Sequence, residues 1–167
     1  MLRKLYLVPV LALLALPALS QAQFEAGNWE MTLAGQGSND KDFRTVDLSA
    51  QVSLGYFLTK ELEISVREGL TYADGGSSWI LGSFGALDYH FDLDRWQPFV
   101  GVNGGKNCGS SNGGNINDDF FAGPEVGVKY FVNATTFVEL RGAYEFDIEE
   151  GIDTGEFQYT LALGFKW

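Results

Sequence analysis

Large apolar and polar side chains alternate along most of the chain. The pattern is cleanest at the end of the sequence. There Phe157, Tyr159, Leu161, Leu163, Phe165 and Trp167 interleave with Glu156, Gln158, Thr160, Ala162, Gly164 and Lys166. Residues i and i+2 of a β-strand lie on one face, so this segment has one wholly apolar face and one polar or small face. Val46 to Leu54, Leu62 to Val66, Val126 to Val132 and Val138 to Tyr144 repeat the pattern. Trp29 to Leu33, Leu81 to Phe91 and Pro98 to Val102 carry weaker versions. The alternation predicts eight strands over 27–36, 43–55, 61–72, 78–91, 96–105, 119–132, 135–146 and 155–167. No segment after residue 22 has the 3.6-residue period of a helix.

The connections also alternate. Tyr56–Lys60, Asp92–Arg95 and Asn133–Ala134 are tight. Gly37–Asp42, Ala73–Ser77, Lys106–Asp118 and Asp147–Thr154 are longer, polar and Gly-rich. Short turns at one end and longer loops at the other predict an all-β fold, an eight-stranded antiparallel up-and-down transmembrane β-barrel.

A soluble barrel would turn its apolar face inward, and a membrane barrel turns it toward lipid. Three features favour lipid. Charges of both signs share the polar faces, including Glu30, Asp47, Glu63, Arg67, Asp88, Glu125, Lys129, Glu139, Arg141, Glu145 and Lys166. Trp and Tyr residues lie on the apolar faces near strand ends, where an amphipathic ring suits a membrane boundary. The chain also stops within a strand, at Trp167. Glu68 alone breaks the apolar phase, and it is expected close to the loop end of its strand, where a lipid-facing charge costs least.

Composition sharpens this picture. A mean hydropathy of −0.03 argues against a multi-helix membrane protein and leaves a barrel open. An aromatic content of 14% is too high for a disordered chain. A net charge of −11 argues against nucleic-acid binding. One cysteine excludes an intrachain disulfide framework and any Cys-based zinc site. The N-terminal stretch reads as a secretory signal. Arg3 and Lys4 precede the apolar run Leu5–Leu19, and Ser20-Gln21-Ala22 supplies a small-x-small cleavage site. The run is shorter than the ~20 residues of a spanning helix. Residues 1–22 are therefore expected to be a signal peptide and residues 23–167 the barrel domain.

Three segments resemble the small outer-membrane β-barrel superfamily, the OmpA-like and OmpX-like barrels. They are Gly123-Pro124-Glu125-Val126-Gly127-Val128-Lys129-Tyr130-Phe131, Gln97-Pro98-Phe99-Val100-Gly101-Val102, and the alternating Tyr159, Leu161, Leu163, Phe165 and Trp167. The last set is similar to the C-terminal signal read by the outer-membrane assembly machinery, with Trp where the family most often has Phe. The resemblance implies a location in the outer membrane of a Gram-negative-type bacterium, among outer-membrane lipids and lipopolysaccharide, as a monomer. It specifies architecture well and function poorly.

Candidate chemistry is sparse. An eight-stranded barrel is just wide enough to be filled by its own side chains. Glu63, Arg67, Glu125, Lys129, Glu139, Arg141 and Lys166 are therefore expected to form a paired charge network that plugs the lumen. His90 shares the lumen face with Asp88. Some related barrels are lipid A-modifying enzymes, one class with a His-x-Ser motif, but position 92 here is Asp, so a hydrogen-bonded lumen histidine is expected rather than a catalytic one. Cys108 falls in the longest predicted loop, with no evident role. The oxygen donors Asn112, Asn115, Asn117, Asp118 and Asp119 have neither the EF-hand spacing nor the Gly-Gly-x-Gly-x-Asp repeat of calcium-binding loops, and a flexible Gly/Asn loop is expected there. No catalytic residue, metal or cofactor is expected. The function expected is a structural or surface role with at most a narrow polar channel. The alternatives are a small ion-conducting porin, a ligand-binding or adhesin barrel and, least favoured, a lipid A-modifying enzyme.

Overall fold

A computed structural model describes residues 24–39, 46–73, 78–110, 118–149 and 151–167. It contains eight antiparallel strands: β1 (Trp29–Asn39), β2 (Val46–Phe57), β3 (Leu62–Ala73), β4 (Ser78–His90), β5 (Trp96–Ser110), β6 (Asp118–Phe131), β7 (Thr136–Asp147) and β8 (Glu156–Lys166). Each pairs with its sequence neighbour, and β1 pairs with β8 to close the barrel. The expected up-and-down topology is the observed one. The signal-peptide segment lies outside the described residues.

The faces are inverted relative to a water-soluble protein. Val126 is 59% exposed and Leu140 56%, whereas Glu125 between strand neighbours is 1% exposed and Lys129 is 2%. An outward apolar wall around a polar lumen is stable only if the surroundings are apolar too. Aromatic pairs stand on this wall at both ends, each formed by directly opposed residues of adjacent strands. Trp29 and Tyr56 (4.9 Å between centroids) and Trp96 and Tyr130 (4.6 Å) mark the turn end. Tyr72 and Trp79 (4.6 Å) and Tyr144 and Phe157 (4.9 Å) mark the loop end. Two such belts fit the two interfaces of a bilayer.

Polar side chains staple the three tight turns. Thr59 Oγ1 accepts from the backbone N–H of Glu61 and Leu62, at 3.2 and 3.0 Å. Asp92 accepts from the Asp94 N–H at 3.2 Å and from the Gln97 amide at 3.0 Å. Asn133 Oδ1 accepts from Thr135 and Thr136, both at 2.9 Å. Short oxygen-bearing side chains offer the backbone acceptors it would otherwise seek in a ladder, so they end strands and start turns.

Three expectations are corrected. First, β5 runs to Ser110 and β6 begins at Asp118, so Lys106 and Cys108 are strand residues; Cys108 lies opposite Asp118. Residues 111–117, with Asn112, Asn115 and Asn117, lie outside the described residues, while Asp118 and Asp119 open β6. The Lys106-Asn107-Cys108 stretch reads as loop by composition, yet pairing with β4 and β6 on both sides supplies its backbone hydrogen bonds. Second, β1 extends to Asn39 rather than 36, paired with β2. Third, Glu68 is mid-strand, not close to the loop end. Its carboxylate accepts a 2.6 Å hydrogen bond from the Ser83 hydroxyl directly opposite on β4, so a local partner rather than proximity to the membrane edge accommodates it.

Candidate functional site

The inward side chains fill the lumen in two charged layers above an aromatic floor. The floor is Phe24, Phe57, Phe131 and Phe137, all at most 3% exposed. Phe24 comes from the segment before β1. Its ring stacks on Phe57 at 3.9 Å and meets Phe131 edge-on at 5.2 Å. Phe57 ends β2, Phe131 ends β6 and Phe137 is the second residue of β7, so all three project inward at the turn end.

Lys129 stands on this floor. Its Nζ lies 2.6 Å from Glu30, 2.8 Å from Glu63 and 4.0 Å from Glu139. The rings of Phe24, Phe57, Phe99 and Phe137 surround it with centroids at 5.2–5.6 Å. An ammonium removed from water needs several compensating contacts, and carboxylates and ring faces both provide them. His90 Nε2 sits 2.8 Å from the same Glu63 oxygen. The His90 ring lies 5.1–5.6 Å from those of Phe24, Phe57 and Phe99, so it is enclosed and at the turn end.

The second layer lies at mid-barrel. Arg67 grips both oxygens of Glu125 at 2.7 Å and reaches Asp88 at 3.0 Å. This two-point geometry is the strong form of a guanidinium–carboxylate pair. Asn103 donates to Glu125 at 2.7 Å and to Glu145 at 3.4 Å. Arg141 donates to Gln51 at 2.5 Å and lies 3.7 Å from Glu139. Glycines leave the room these side chains occupy. A Cβ at Gly55 would meet Glu30 Cγ at 2.8 Å, and one at Gly101 would meet Asp88 Cγ at 2.9 Å.

Of the seven network residues expected from sequence, Glu63, Lys129, Glu139 and Arg141 form one connected set, and Arg67 and Glu125 a second. Lys166 is placed elsewhere. Its Nζ lies 5.5 Å from the Phe24 centroid and 5.6 Å from that of Phe131, at the mouth of the barrel. Sequence reasoning left Glu30, Asp88, Gln51 and Asn103 out of the network, although their inward phase was visible. It missed the aromatic floor, for which Phe99 and Phe131 on the polar phase were the available signal. Among the described residues no cluster of His, Cys, Asp or Glu has metal-binding geometry. Tyr159, Leu161, Leu163 and Trp167 project outward from the wall at β8 and its end.

Above the second layer the lumen opens into a cavity of about 330 Å³ toward the loop end. The barrel is thus closed below and hollow above.

Neither a known family model nor a curated protein matches the sequence. Solved structures do match. The outer membrane protein OprG of Pseudomonas aeruginosa is 12% identical, with a TM-score of 0.63 over 87% of this chain and 98% of that one. Neisserial surface protein A is 17% identical, with a TM-score of 0.57 over 83% and 94%. The N-terminal β-barrel domain of Pseudomonas aeruginosa OprF is 18% identical, with a TM-score of 0.56 over 85% and 98%. At these identities the likeness is one of fold: the chain has the fold of the small eight-stranded outer-membrane β-barrels.

Proposed function

We propose that this protein is a monomeric outer-membrane barrel of a Gram-negative-type envelope, with a structural or surface role and a lumen closed to ions. The observation that carries this reading is the Lys129 layer seated on the four-phenylalanine floor. A hydrated ion would have to displace buried rings and break short ion pairs to pass. The apolar wall with its two aromatic belts supports the membrane setting. On this reading residues 1–22 are removed on export and the tight turns face the periplasm. The assembly machinery engages β8 through Tyr159, Leu161, Leu163, Phe165 and Trp167, and the finished barrel sits among outer-membrane lipids and lipopolysaccharide. No catalytic step is assigned, because the one histidine is enclosed by rings.

Two measurements on protein from outer-membrane fractions test this. Unboiled protein is expected to migrate faster than boiled protein on a gel, as a closed, detergent-stable barrel does. Purified protein in planar bilayers is expected to give no discrete conductance steps. Recovery from the soluble periplasm without a mobility shift would overturn the membrane reading. Regular conductance steps would replace the closed barrel with a small porin.

A further inference from the structure

The ladder that closes the barrel is incomplete. β1 pairs with β8 only from Glu30 and Lys166 up to Ala34 and Ala162, with a further backbone exchange between Trp29 and Trp167. Above Ala34, β1 continues to Asn39 bonded to β2, and the upper part of β8 is bonded to β7. The wall is therefore slit lengthwise in its loop-end half. The cavity reaches this slit. It is lined by inward-facing Gln51, Asn103 and Glu145 and also by outward-facing Ala50 and Leu161. A Cβ on Gly35, at the lip, would meet nothing within 4 Å.

The polar end of the cavity offers acceptors. Arg67 is held by Glu125 and Asp88, and Arg141 lies between Gln51 and Glu139. Glu145, in contrast, has no basic group within ion-pair distance among the described residues, and its one hydrogen bond, from Asn103, is long at 3.4 Å. Asn103 is 6% exposed, and its Oδ1 has no partner. The Asn103 amide nitrogen is committed to the Glu125 and Glu145 carboxylates, and its oxygen is enclosed, so Glu145 is the acceptor that the cavity presents. Phe84 and Phe121, edge to face at 5.6 Å, form an adjoining wall. Arg67 Nε also lacks a partner, but both its terminal nitrogens are already neutralised, so an added anion would meet surplus carboxylate charge.

We propose that this cavity binds the head group of a single-chain cationic amphiphile, a primary alkylammonium. The ammonium donates to Glu145 against the Phe84 and Phe121 rings. The alkyl chain leaves sideways between β1 and β8, past Gly35 and Leu161, into the surrounding lipid. The volume is at the small end of ligand pockets, which run to about 300–1,000 Å³, and admits a head and its first carbons but not a two-chain lipid.

The test uses the full barrel in nanodiscs of neutral phosphatidylcholine, with amide chemical shifts followed by NMR. Dodecylammonium is expected to give saturable shifts at Asn103, Glu145, Gly35 and Leu161, and dodecanoate none at those positions. This head-group comparison needs no altered protein. Glu145→Gln and the lip-filling Gly35→Trp are each expected to weaken dodecylammonium binding at least tenfold while keeping the heat-dependent gel shift. Equal binding of dodecanoate, shifts spread along the outer faces of all strands, or full affinity in folded Gly35→Trp would overturn the proposal. Loss of the gel shift in the unaltered protein would instead count against the barrel reading itself.

Discussion

The two ends of this barrel are built from the same strands but have opposite interiors. At the turn end, β1 and β8 are paired, the turns are stapled by Thr59, Asp92 and Asn133, and phenylalanines occupy the lumen. At the loop end, β1 and β8 part, and the inward positions include Ala34, Gly69 and Ala143, leaving a cavity. A cross-section set by eight strands must be filled by side chains. Where the inward residues are large the lumen is solid, and where they are small it is hollow. Side-chain volume on the polar phase thus decides whether each level of the barrel is a plug or a vestibule.

Disturbing the solid end should therefore cost most. Lys129→Ala leaves Glu30 and Glu63 buried without their shared cation and is expected to destabilise the barrel by about 3–5 kcal/mol. Urea unfolding in lipid vesicles, followed by tryptophan fluorescence, would measure it. Lys129→Met with Glu30→Gln and Glu63→Gln should recover much of that loss, because buried ion pairs rarely outperform matched neutral packing. A triple variant as unstable as Lys129→Ala would show that the ammonium does more than balance charge.

Phe24→Ala removes one ring of the floor and is expected to cost about 3 kcal/mol, at the low end for a buried aromatic because Phe24 precedes the first strand. Bilayer recordings add a sharper readout. With the floor breached, flickering conductance should exceed that of the unaltered protein, and unchanged silence would place the seal in the charged layers instead. Arg141→Ala lies nearer the hollow end, where Gln51 and Glu139 can relax toward the cavity. A cost of about 1.5–3 kcal/mol is expected by the same unfolding assay. A loss as large as that for Lys129→Ala would erase the contrast between the halves. Asn133→Ala removes a turn acceptor in water, and about 1 kcal/mol is expected. Hydrogen exchange compares the ends without mutation: β1 amides directed at β8 should be protected up to Ala34 and exchange fast above it.

Much of the fold was legible because alternation reports directly which side chains share a face. Val126, Val128 and Tyr130 against Glu125, Gly127 and Lys129 place the wall and the lumen of β6 without any knowledge of its neighbours. The turns were legible for a local reason too, since Thr59, Asp92 and Asn133 bond within three to five residues. Strand ends at the loop side were less so. Lys106, Asn107 and Cys108 fall in the predicted loop, and only pairing with β4 and β6 makes them strand.

The partners inside the lumen depended on the closed barrel. Arg67 meets Glu125 across 58 residues, and Lys129 meets Glu30 across 99. Period-two patterning says that these groups face inward. It carries no information about which strands stand across the lumen or at what height, because the tilt and stagger of the strands set both. The same holds for Phe24, which has no strand phase and enters the floor only because the closed turn end offers Phe57 and Lys129. The sequence by itself thus determined the strands, their two faces and the turns, all consequences of interactions between near neighbours. The tertiary structure alone decided the cross-lumen ion pairs, the aromatic floor and the slit between β1 and β8, because each depends on how far a closing sheet shears before its first and last strands meet.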